Sequence, residues 1–363
     1  MSEFAAGPAG RIERVRALMV ERGYDAIVVR DEANLRWLTG VKGVFDYTFE
    51  FPHAAFITAD QCLFHTDSRY LNSFEENTPA SSPWVYDMDE GTIPGWVAGK
   101  IAANKCRVCA VEDDMQINFY QGIQRGLDDI RKMRAIKDAE EIELMRHAQS
   151  ITDAAFQHML GFIKPGMTEK QVRNELENFM FANGADSLAF GSIVASGPNT
   201  ANPHAVPSDR VIEKGDFVLM DYGAGYCDYR SDMTRTVVMG EPTQEQLDLY
   251  ALVRRTHEEC VAAIHPGVEG NDIFKLSKKI IGDAGYGDYY NHGLGHGVGI
   301  DIHELPNFNR SKNTIEVGSV ITMEPGVYLP GVGGVRLEDY GVVTENGYEP
   351  FTKTPHDLHI IDC

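Results

Sequence analysis

Apolar residues near the start of the chain recur at the three- and four-residue intervals typical of an amphipathic helix. This pattern runs from Arg11 to Gly23, with one face formed by Ile12, Val15, Leu18 and Met19. Short apolar runs then predict strands at YDAIVV (24–29), AAFIT (54–58), CLFHT (62–66) and CRVCAV (106–111). Because the strands alternate with helical segments, this part of the chain is predicted to be a small α/β domain.

A highly charged segment, DIRKMRAIKDAEEIELMRHA, then predicts the start of a long amphipathic helix. We expect the domain boundary within it, between Arg131 and Asp138. The predicted domains are therefore residues 1–133 and residues 134–363.

The second domain repeats its own pattern. FIKPGMTEKQVRNELENFMFANG (162–184) aligns without gaps on AIHPGVEGNDIFKLSKKIIGDAG (263–285), an offset of 101 positions (266 − 165). In both copies Pro-Gly ends one helix and Gly closes the next. Shared turn chemistry alone is the alternative explanation for one such segment.

Two further segments repeat in the same order. HAVP at His204 matches HELP at His303, an offset of 99 (303 − 204), and EKGDFVLMDYG (213–223) matches EVGSVITMEPG (316–326), an offset of 103 (316 − 213). Three ordered matches at nearly constant offset indicate an internal duplication of two helix-helix-strand units. A site is expected where the two halves meet.

The duplication pairs two acidic residues, Asp221 and Glu324, each at the end of an apolar run that predicts a strand. Burying an isolated carboxylate is unfavourable, so a cation is expected close to each of them.

Each of these acids is followed by a turn and a second acid. Asp232 follows Asp221 by 11 positions (232 − 221), and a turn centred on Tyr226 and Cys227 would place the two acids directly opposite each other. Glu338 follows Glu324 by 14 positions (338 − 324) across a turn rich in Gly and Pro. Directly opposed residues have Cβ atoms about 4.5 to 5.5 Å apart, so two carboxylates there repel each other unless a metal lies between them.

Four inward carboxylates and one neutral imidazole would balance two divalent cations. Oxygen-rich ligation with one nitrogen suits Mn²⁺, Co²⁺ or Fe²⁺, with Zn²⁺ possible. The alternative is that the acids are surface charges or pair with arginines such as Arg235 and Arg336.

The imidazole candidates lie in NHGLGHGVGIDIHELP, which contains His292, His296 and His303 among four glycines. These glycines do not follow the GxGxxG spacing of a nucleotide-binding turn, so we interpret them as a strand close to the metals. His257, His265, His356 and His359 are interpreted as structural.

Composition narrows the function. The 33 Lys and Arg against 54 Asp and Glu give a net charge of −21, which argues against nucleic acid or an anionic membrane as a partner. The chain shows no signal peptide and no apolar run long enough to span a membrane, so a cytoplasmic location is expected. Cys106 and Cys109 have CxxC spacing without a second metal-binding pair, and we interpret them as ordinary strand residues.

The motifs DYGA, SDMTRT, GHGVG, MEPGVY and GVRLED resemble those of the creatinase/prolidase/aminopeptidase P family, the pita-bread metallopeptidases. The likeness extends to IVASGPNTANPHAVP, NLRWLTG and HTDSRY, and so covers nearly the whole chain. It implies an α+β fold: a pita-bread C-terminal domain with a pseudo-twofold repeat, preceded by a smaller creatinase-type α/β domain. It also implies two metal ions, with manganese first and cobalt, iron or zinc as alternatives, held by Asp221, Asp232, His296, Glu324 and Glu338.

The resemblance further implies a homodimeric Xaa-Pro peptidase acting on proline-containing peptides. A hydroxide bridging the metals would attack the carbonyl before proline, with Glu324 orienting it and passing its proton to the leaving nitrogen. His204 and His303 would flank the substrate and stabilise the oxyanion. His292 and Arg336 resemble residues near the substrate and the metals.

Several alternatives stay open at this stage. Within the fold these are a creatinase-like hydrolase or a lyase of a small non-peptide substrate, and outside it a non-catalytic binding module. The predicted N-terminal domain disfavours a methionine aminopeptidase. Dipeptidase and aminopeptidase P activities are not distinguished by the sequence.

Overall fold

The structure is a computed structural model that describes residues 8–30, 32–41, 53–78, 80, 82–87, 92–111, 134–309 and 312–363. The chain divides into two compact units, Met1–Gly126 and Leu127–Cys363. The domain boundary was predicted between Arg131 and Asp138. Residues 131–133 lie outside the described residues, so the division between residues 133 and 134 stays a prediction.

The N-terminal unit is a five-stranded mixed sheet with helices, in the strand order β4-β3-β2-β1-β5. Its strands are β1 Ala26–Val29, β2 Ala54–Thr58, β3 Cys62–His65, β4 Val85–Asp87 and β5 Cys109–Val111, and its helices are α1 Pro8–Arg22, α2 Glu32–Thr39, α3 Leu71–Asn77 and α4 Ile93–Ala103. The predicted strands and the first helix are confirmed. On α1, however, Leu18 is 42% exposed, so the buried face is narrower than predicted.

The CxxC pair was expected to lie within one strand, which is correct for Cys109 only. Cys109 lies in β5 and Cys106 precedes it, and both pack against a buried cluster that includes Val28 and Phe56. Both cysteines are free.

The C-terminal unit contains two helix pairs related by the predicted duplication. They are α5 Ala139–Phe162 with α6 Glu169–Ala182, and α7 Gln244–Ala262 with α8 Gly270–Asp283. Helix α8 begins and ends 101 positions after α6 (270 − 169 and 283 − 182), the offset found in the sequence. The glycines after α5 and α7, Gly166 and Gly267, have φ of 94° and 86°, which explains why glycine recurs there.

Each half of this unit provides the central strands of one sheet, and the C-terminal strand β19 joins the sheet of the first half. The first has the order β19-β11-β8-β7 and the second β13-β12-β14-β17-β18, with small sheets β10-β9-β6 and β15-β16 beside them. The strands are β6 Ser187–Leu188, β7 Ile193–Ser196, β8 Phe217–Tyr222, β9 Ala224–Tyr226, β10 Tyr229–Arg230, β11 Met233–Met239, β12 Gly295–Gly297, β13 Glu304–Phe308, β14 Val320–Met323, β15 Gly326–Leu329, β16 Gly333–Arg336, β17 Asp339–Thr344, β18 Gly347–Pro350 and β19 Ile360–Ile361.

Buried apolar side chains form one large cluster for each helix pair. Phe156 of α5 and Val218 of β8 belong to the first cluster, and Phe274 of α8 and Ile321 of β14 to the second. Each helix pair thus buries its apolar face on its own sheet, which leaves the residues at the ends of the central strands to meet between the halves.

The first acidic hairpin differs from the prediction. Cys227 and Asp228 form its turn with φ of 47° and 68°, so the turn is centred one residue later than expected. Consecutive positive φ values are typical of the two-residue turn whose twist matches antiparallel strands. As a result Asp221 lies opposite Thr234, and Asp232 lies diagonally from Asp221.

The second acidic hairpin has the predicted register. Met323 pairs with Asp339 in β14 and β17, and Gly326 pairs with Arg336 in β15 and β16. Glu324 and Glu338 lie between these two pairs, at positions opposite each other.

Among the helices in the described part of the chain, none combines the length and apolar character that crossing a membrane requires.

Candidate metal centre

Acidic residues from both halves meet at the ends of β8, β11, β14 and β17. The halves are joined there by backbone and side-chain hydrogen bonds: the Glu338 amide donates to the Thr234 carbonyl at 3.1 Å, and Thr234 Oγ1 donates to Glu338 Oε2 at 2.6 Å. Thr236 Oγ1 donates to the Arg336 carbonyl at 3.0 Å. These bonds hold the acids of one half against those of the other.

His296 of β12 lies among these acids. Its Nε2 is 3.6 Å from Asp232 Oδ2 and 3.6 Å from Glu324 Oε1. Asp232, His296 and Glu338 each offer one ligand atom within 4.8 Å of the others. Residues far apart in sequence thus present donors at distances that a shared cation could bridge.

The orientation of His296 leaves one ring nitrogen for a ligand. Nδ1 lies 3.0 Å from the Gly297 carbonyl oxygen, which can only accept, so Nδ1 carries the proton in this hydrogen bond. The His296 amide donates to Thr322 Oγ1 at 3.1 Å, which holds the backbone. Nε2 therefore directs its lone pair toward the acids, as in histidine ligands whose other nitrogen donates to a carbonyl.

Burial and crowding make the ionised acids unstable on their own. The pKa of Asp232 is well above its usual range because of burial and of the charges on Glu338, Asp221 and Glu324. The pKa of Glu338 is raised well above its usual range by burial and then by Glu324 and Asp221. Such a set ionises readily only when positive charge enters it.

Asp221 provides a test of whether a metal would fit. Arg336 Nη2 donates to its Oδ2 at 2.5 Å, whereas Oδ1 is buried and accepts no hydrogen bond from any residue that the structure describes. Buried carboxylate oxygens are rarely left without a partner. A cation at Oδ1 would satisfy this atom, so the residues present fit a divalent metal site.

Arginine pairing accounts for only part of the acidic charge. Arg336 pairs with Asp221, and its other nitrogens donate to Tyr328 Oη at 2.8 Å, Thr234 Oγ1 at 3.0 Å and the Pro203 carbonyl at 3.2 Å. The described hydrogen bonds of Arg336 thus orient Asp221. A contact of Arg336 with substrate stays a prediction. Arg235 pairs instead with Asp339 at 2.7 Å.

The glycines of the GHGVG segment approach neighbouring strands, which corrects the expectation that they approach the metals. A Cβ on Gly295 would lie 2.2 Å from the Thr322 carbonyl oxygen, and one on Gly297 would lie 2.1 Å from that of Leu305. Real Cβ contacts are not this short, so only glycine lets β12 fit between β13 and β14. The close approach was predicted, but its partner was wrong.

The other histidines lie around this centre. The His303 ring is 4.2 Å from the His296 ring, and His204 follows Pro203, whose carbonyl accepts from Arg336. His292 has Nδ1 2.7 Å from the Gly293 carbonyl and Nε2 2.9 Å from Tyr328 Oη. The substrate roles of these three residues stay predictions.

Sequence reasoning missed Thr234 and Tyr328. Tyr328 connects His292 to Arg336, and Thr234 contacts both Arg336 and Glu338. Alternation could have found them, because residues two or four positions from a ligand along a strand share its face.

Comparisons with known proteins agree with this geometry. Residues 143–345 match metallopeptidase family M24, and residues 11–147 match the creatinase/prolidase N-terminal domain. An uncharacterised peptidase of Bacillus subtilis is 36% identical over 364 residues, which cover 97% of this chain and 100% of that protein.

Solved structures give the same result. An Xaa-Pro dipeptidase from Bacillus anthracis is 36% identical with a TM-score of 0.64, covering 98% of this chain and 100% of that one. An X-Pro aminopeptidase from Thermotoga maritima is 30% identical with a TM-score of 0.64, covering 97% and 100%. The chain therefore belongs to metallopeptidase family M24, in the creatinase/prolidase/aminopeptidase P group with its pita-bread fold.

Proposed function

We propose that this protein is a metal-dependent peptidase that hydrolyses the bond between an N-terminal residue and proline. In this proposal two divalent cations are held by Asp221, Asp232, His296, Glu324 and Glu338. The observation that carries it is the convergence of four crowded carboxylates and one oriented imidazole from both halves of the repeat.

The charge of the site supports two cations. Four carboxylates and the Arg336 guanidinium provide four negative charges and one positive charge, so a single divalent ion would leave the buried set negative. Two divalent ions make it slightly positive, which suits a reaction that develops an oxyanion. When bound, such a pair polarises a carbonyl group and makes water nucleophilic at neutral pH. Oxygen-rich ligation favours Mn²⁺, with Co²⁺, Fe²⁺ and Zn²⁺ as alternatives.

The open side of the centre lies at Glu324. Its side chain is 19% exposed, against 10% for His296 and 5% for Asp232. A partly exposed carboxylate beside the scissile bond can take a proton from the attacking water and deliver it to the leaving proline nitrogen. We assign this role to Glu324.

His303 and His204 are proposed to stabilise the oxyanion that forms at the scissile carbonyl. The His303 ring lies beside that of His296, tilted by 58° with the ring centroids 4.2 Å apart. The backbone before His204 is hydrogen-bonded to Arg336, which in turn donates to Asp221. His303 and His204 are both half-buried, and the duplication relates their positions. This arrangement suits two donors that approach a substrate from the two halves.

The comparisons support the substrate class. Relatives of similar coverage carry the names Xaa-Pro dipeptidase and X-Pro aminopeptidase, so the proposal includes both peptide lengths. The homodimer and the cytoplasmic location stay predictions.

One assay tests the function. The chain is freed of metal, reloaded with Mn²⁺ and given Ala-Pro, Ala-Pro-Ala and Ala-Ala in parallel. We expect cleavage only of the proline-containing peptides, and their relative rates distinguish dipeptidase from aminopeptidase activity. Failure to cleave either one while two equivalents of metal are bound would contradict the proposal and favour a small non-peptide substrate.

A further inference from the structure

A second cluster of ligand-type side chains lies outside the centre described above. It consists of His257 on α7, Asp339 at the start of β17 and His356 in the C-terminal segment, each offering one ligand atom within 4.8 Å of the others. His257 Nε2 is 3.6 Å and His356 Nε2 is 2.5 Å from Asp339 Oδ2. We propose that these three residues form a third transition-metal site, suited above all to Zn²⁺.

His257 has two buried ring nitrogens that could bind a ligand. Its side chain is 1% exposed, yet neither ring nitrogen has a hydrogen-bond partner among the residues that the structure describes. Leaving a buried polar group unsatisfied costs about 1–3 kcal/mol. Imidazole binds metal through a ring nitrogen lone pair, so a buried ring without a described hydrogen bond is suited to act as a ligand.

The donor set matches zinc chemistry. Two imidazoles and one carboxylate, with a fourth position open to water, form a common zinc arrangement. Ligand atoms about 2.0–2.1 Å from a tetrahedral ion are about 3.3 Å from one another. The His257 to Asp339 distance is already close to this value. His356 Nε2 forms a direct hydrogen bond to Asp339 Oδ2 at 2.5 Å, which the ion would replace, and the His356 side chain is 26% exposed.

The surroundings orient the carboxylate. Arg235 Nη2 donates to Asp339 Oδ1 at 2.7 Å, which leaves Oδ2 to face the two histidines. Outer hydrogen bonds of this kind hold ligands in place around bound metals.

The charges set the strength of this site. Arg235 repels an incoming cation, whereas Glu258 Oε1, 3.9 Å from His356 Nδ1, attracts it. One carboxylate ligand here, against four at the main centre, makes this the weaker site. The main centre is therefore expected to fill first.

The new site and the main centre lie on opposite faces of the strands β11 and β17. Thr234 and Glu338 face the main centre, and the next residues, Arg235 and Asp339, face the second cluster, since successive strand residues point to opposite sides. Zinc at Asp339 would therefore brace the segment that positions Glu338.

A metal titration of the full chain tests the proposal. Metal-free protein is titrated with Zn²⁺ against a fluorescent chelator at pH 7.5, with bound zinc counted by elemental analysis. The expected result is a third, weaker equivalent in the wild type, its loss in His356→Gln and His257→Gln, and its retention in His265→Gln. His265 is an exposed histidine of the same half and serves as the matched control.

The readout is independent of peptidase activity. Both cluster variants should bind one equivalent of zinc less than the wild type, whatever the number of ions at the main centre, so a failure of the peptidase proposal would not affect the result. Circular dichroism checks folding, and His356→Gln decides the matter if the buried His257→Gln does not fold. A wild type that binds no more zinc than His356→Gln overturns the proposal.

Discussion

Arg336 and Asp221 join the two halves of the repeat inside the candidate centre, with Arg336 Nη2 donating to Asp221 Oδ2 at 2.5 Å. Arg336 ends β16 in the second half and Asp221 lies in β8 of the first. Asp221 Oδ1 is buried and accepts no hydrogen bond from the described residues. An arginine that holds one oxygen of a ligand pre-orients the other, so the position of a metal would depend on both halves at once.

Asp232→Asn should abolish metal-dependent activity without unfolding the protein. Asp232 is buried among like charges that raise its pKa, so a neutral amide removes repulsion from the metal-free state. We expect the metal-free variant to melt at or above the temperature of the metal-free wild type, while the stabilisation by added Mn²⁺ falls. Calorimetry with and without metal measures both effects.

Asp228→Asn is the matched control for this variant. Asp228 is exposed in the turn of the same hairpin, and asparagine tolerates its positive φ. It should keep full activity and full metal response. If Asp232→Asn has the activity of the wild type, the proposal that Asp232 is a metal ligand is wrong.

His303→Ala should lower kcat by about 100-fold, the usual cost of losing one donor to an oxyanion. The reason is its position beside His296, with ring centroids 4.2 Å apart. Steady-state kinetics on Ala-Pro measures kcat and KM separately. His265→Ala should leave both unchanged, and a change in KM alone would assign His303 to substrate binding.

Tyr328→Phe should raise KM by roughly tenfold with a smaller effect on kcat, because one buried hydrogen bond contributes about 1 kcal/mol or somewhat more. Arg336 donates to the Tyr328 hydroxyl, which in turn donates to Nε2 of His292, so the variant removes one of the hydrogen bonds that orient the His292 ring. Burial raises the pKa of Tyr328 to about 12, so the hydroxyl keeps its proton at neutral pH.

Tyr222→Phe provides the comparison for Tyr328→Phe. Tyr222 is also buried and donates to the Thr152 carbonyl at 3.2 Å, away from His292. It should lose some stability without a change in KM. Equal KM values for wild type and Tyr328→Phe would show that His292 does not depend on this hydrogen bond.

Gly297→Ala should destabilise the protein by about 2 kcal/mol or more, through overpacking against a backbone that cannot move freely. The added Cβ would lie 2.1 Å from the Leu305 carbonyl oxygen and push β12 away from β13. Gly282→Ala adds the same methyl group inside α8 with nothing within 4 Å, and should stabilise by up to about 1 kcal/mol. Urea unfolding of both variants measures the difference, and equal midpoints would contradict the close packing of β12.

The duplication explains how much of the fold was predictable. Pro-Gly and Gly recur at the same places in both copies because the backbone needs positive φ there, and the second helix of each pair follows at the predicted offset. The pairing of Asp221 was predicted wrongly because Cys227 and Asp228 form the turn without the glycine or asparagine that usually marks positive φ. The opposing positions of Glu324 and Glu338 were predicted correctly because Gly and Pro mark their turn.

The residues of the candidate site that lie at regular spacings along strands could be predicted from the sequence. Alternation and the repeat bring the four acids together, whereas the cluster of His257, Asp339 and His356 has no shared spacing. These three residues come from a helix, a strand and the C-terminal segment, so only tertiary packing brings them together.

The alternation along β11 has a consequence for insertions and deletions. Thr234 faces the acids and Arg235 faces away. A one-residue insertion just before them would reverse these directions, so that the Arg235 guanidinium would point toward the proposed ligands. The exposed turn at Cys227 and Asp228 is free of this restriction. Insertions and deletions in active variants of this protein should therefore occur at the hairpin tip and not in the strand beside the acids.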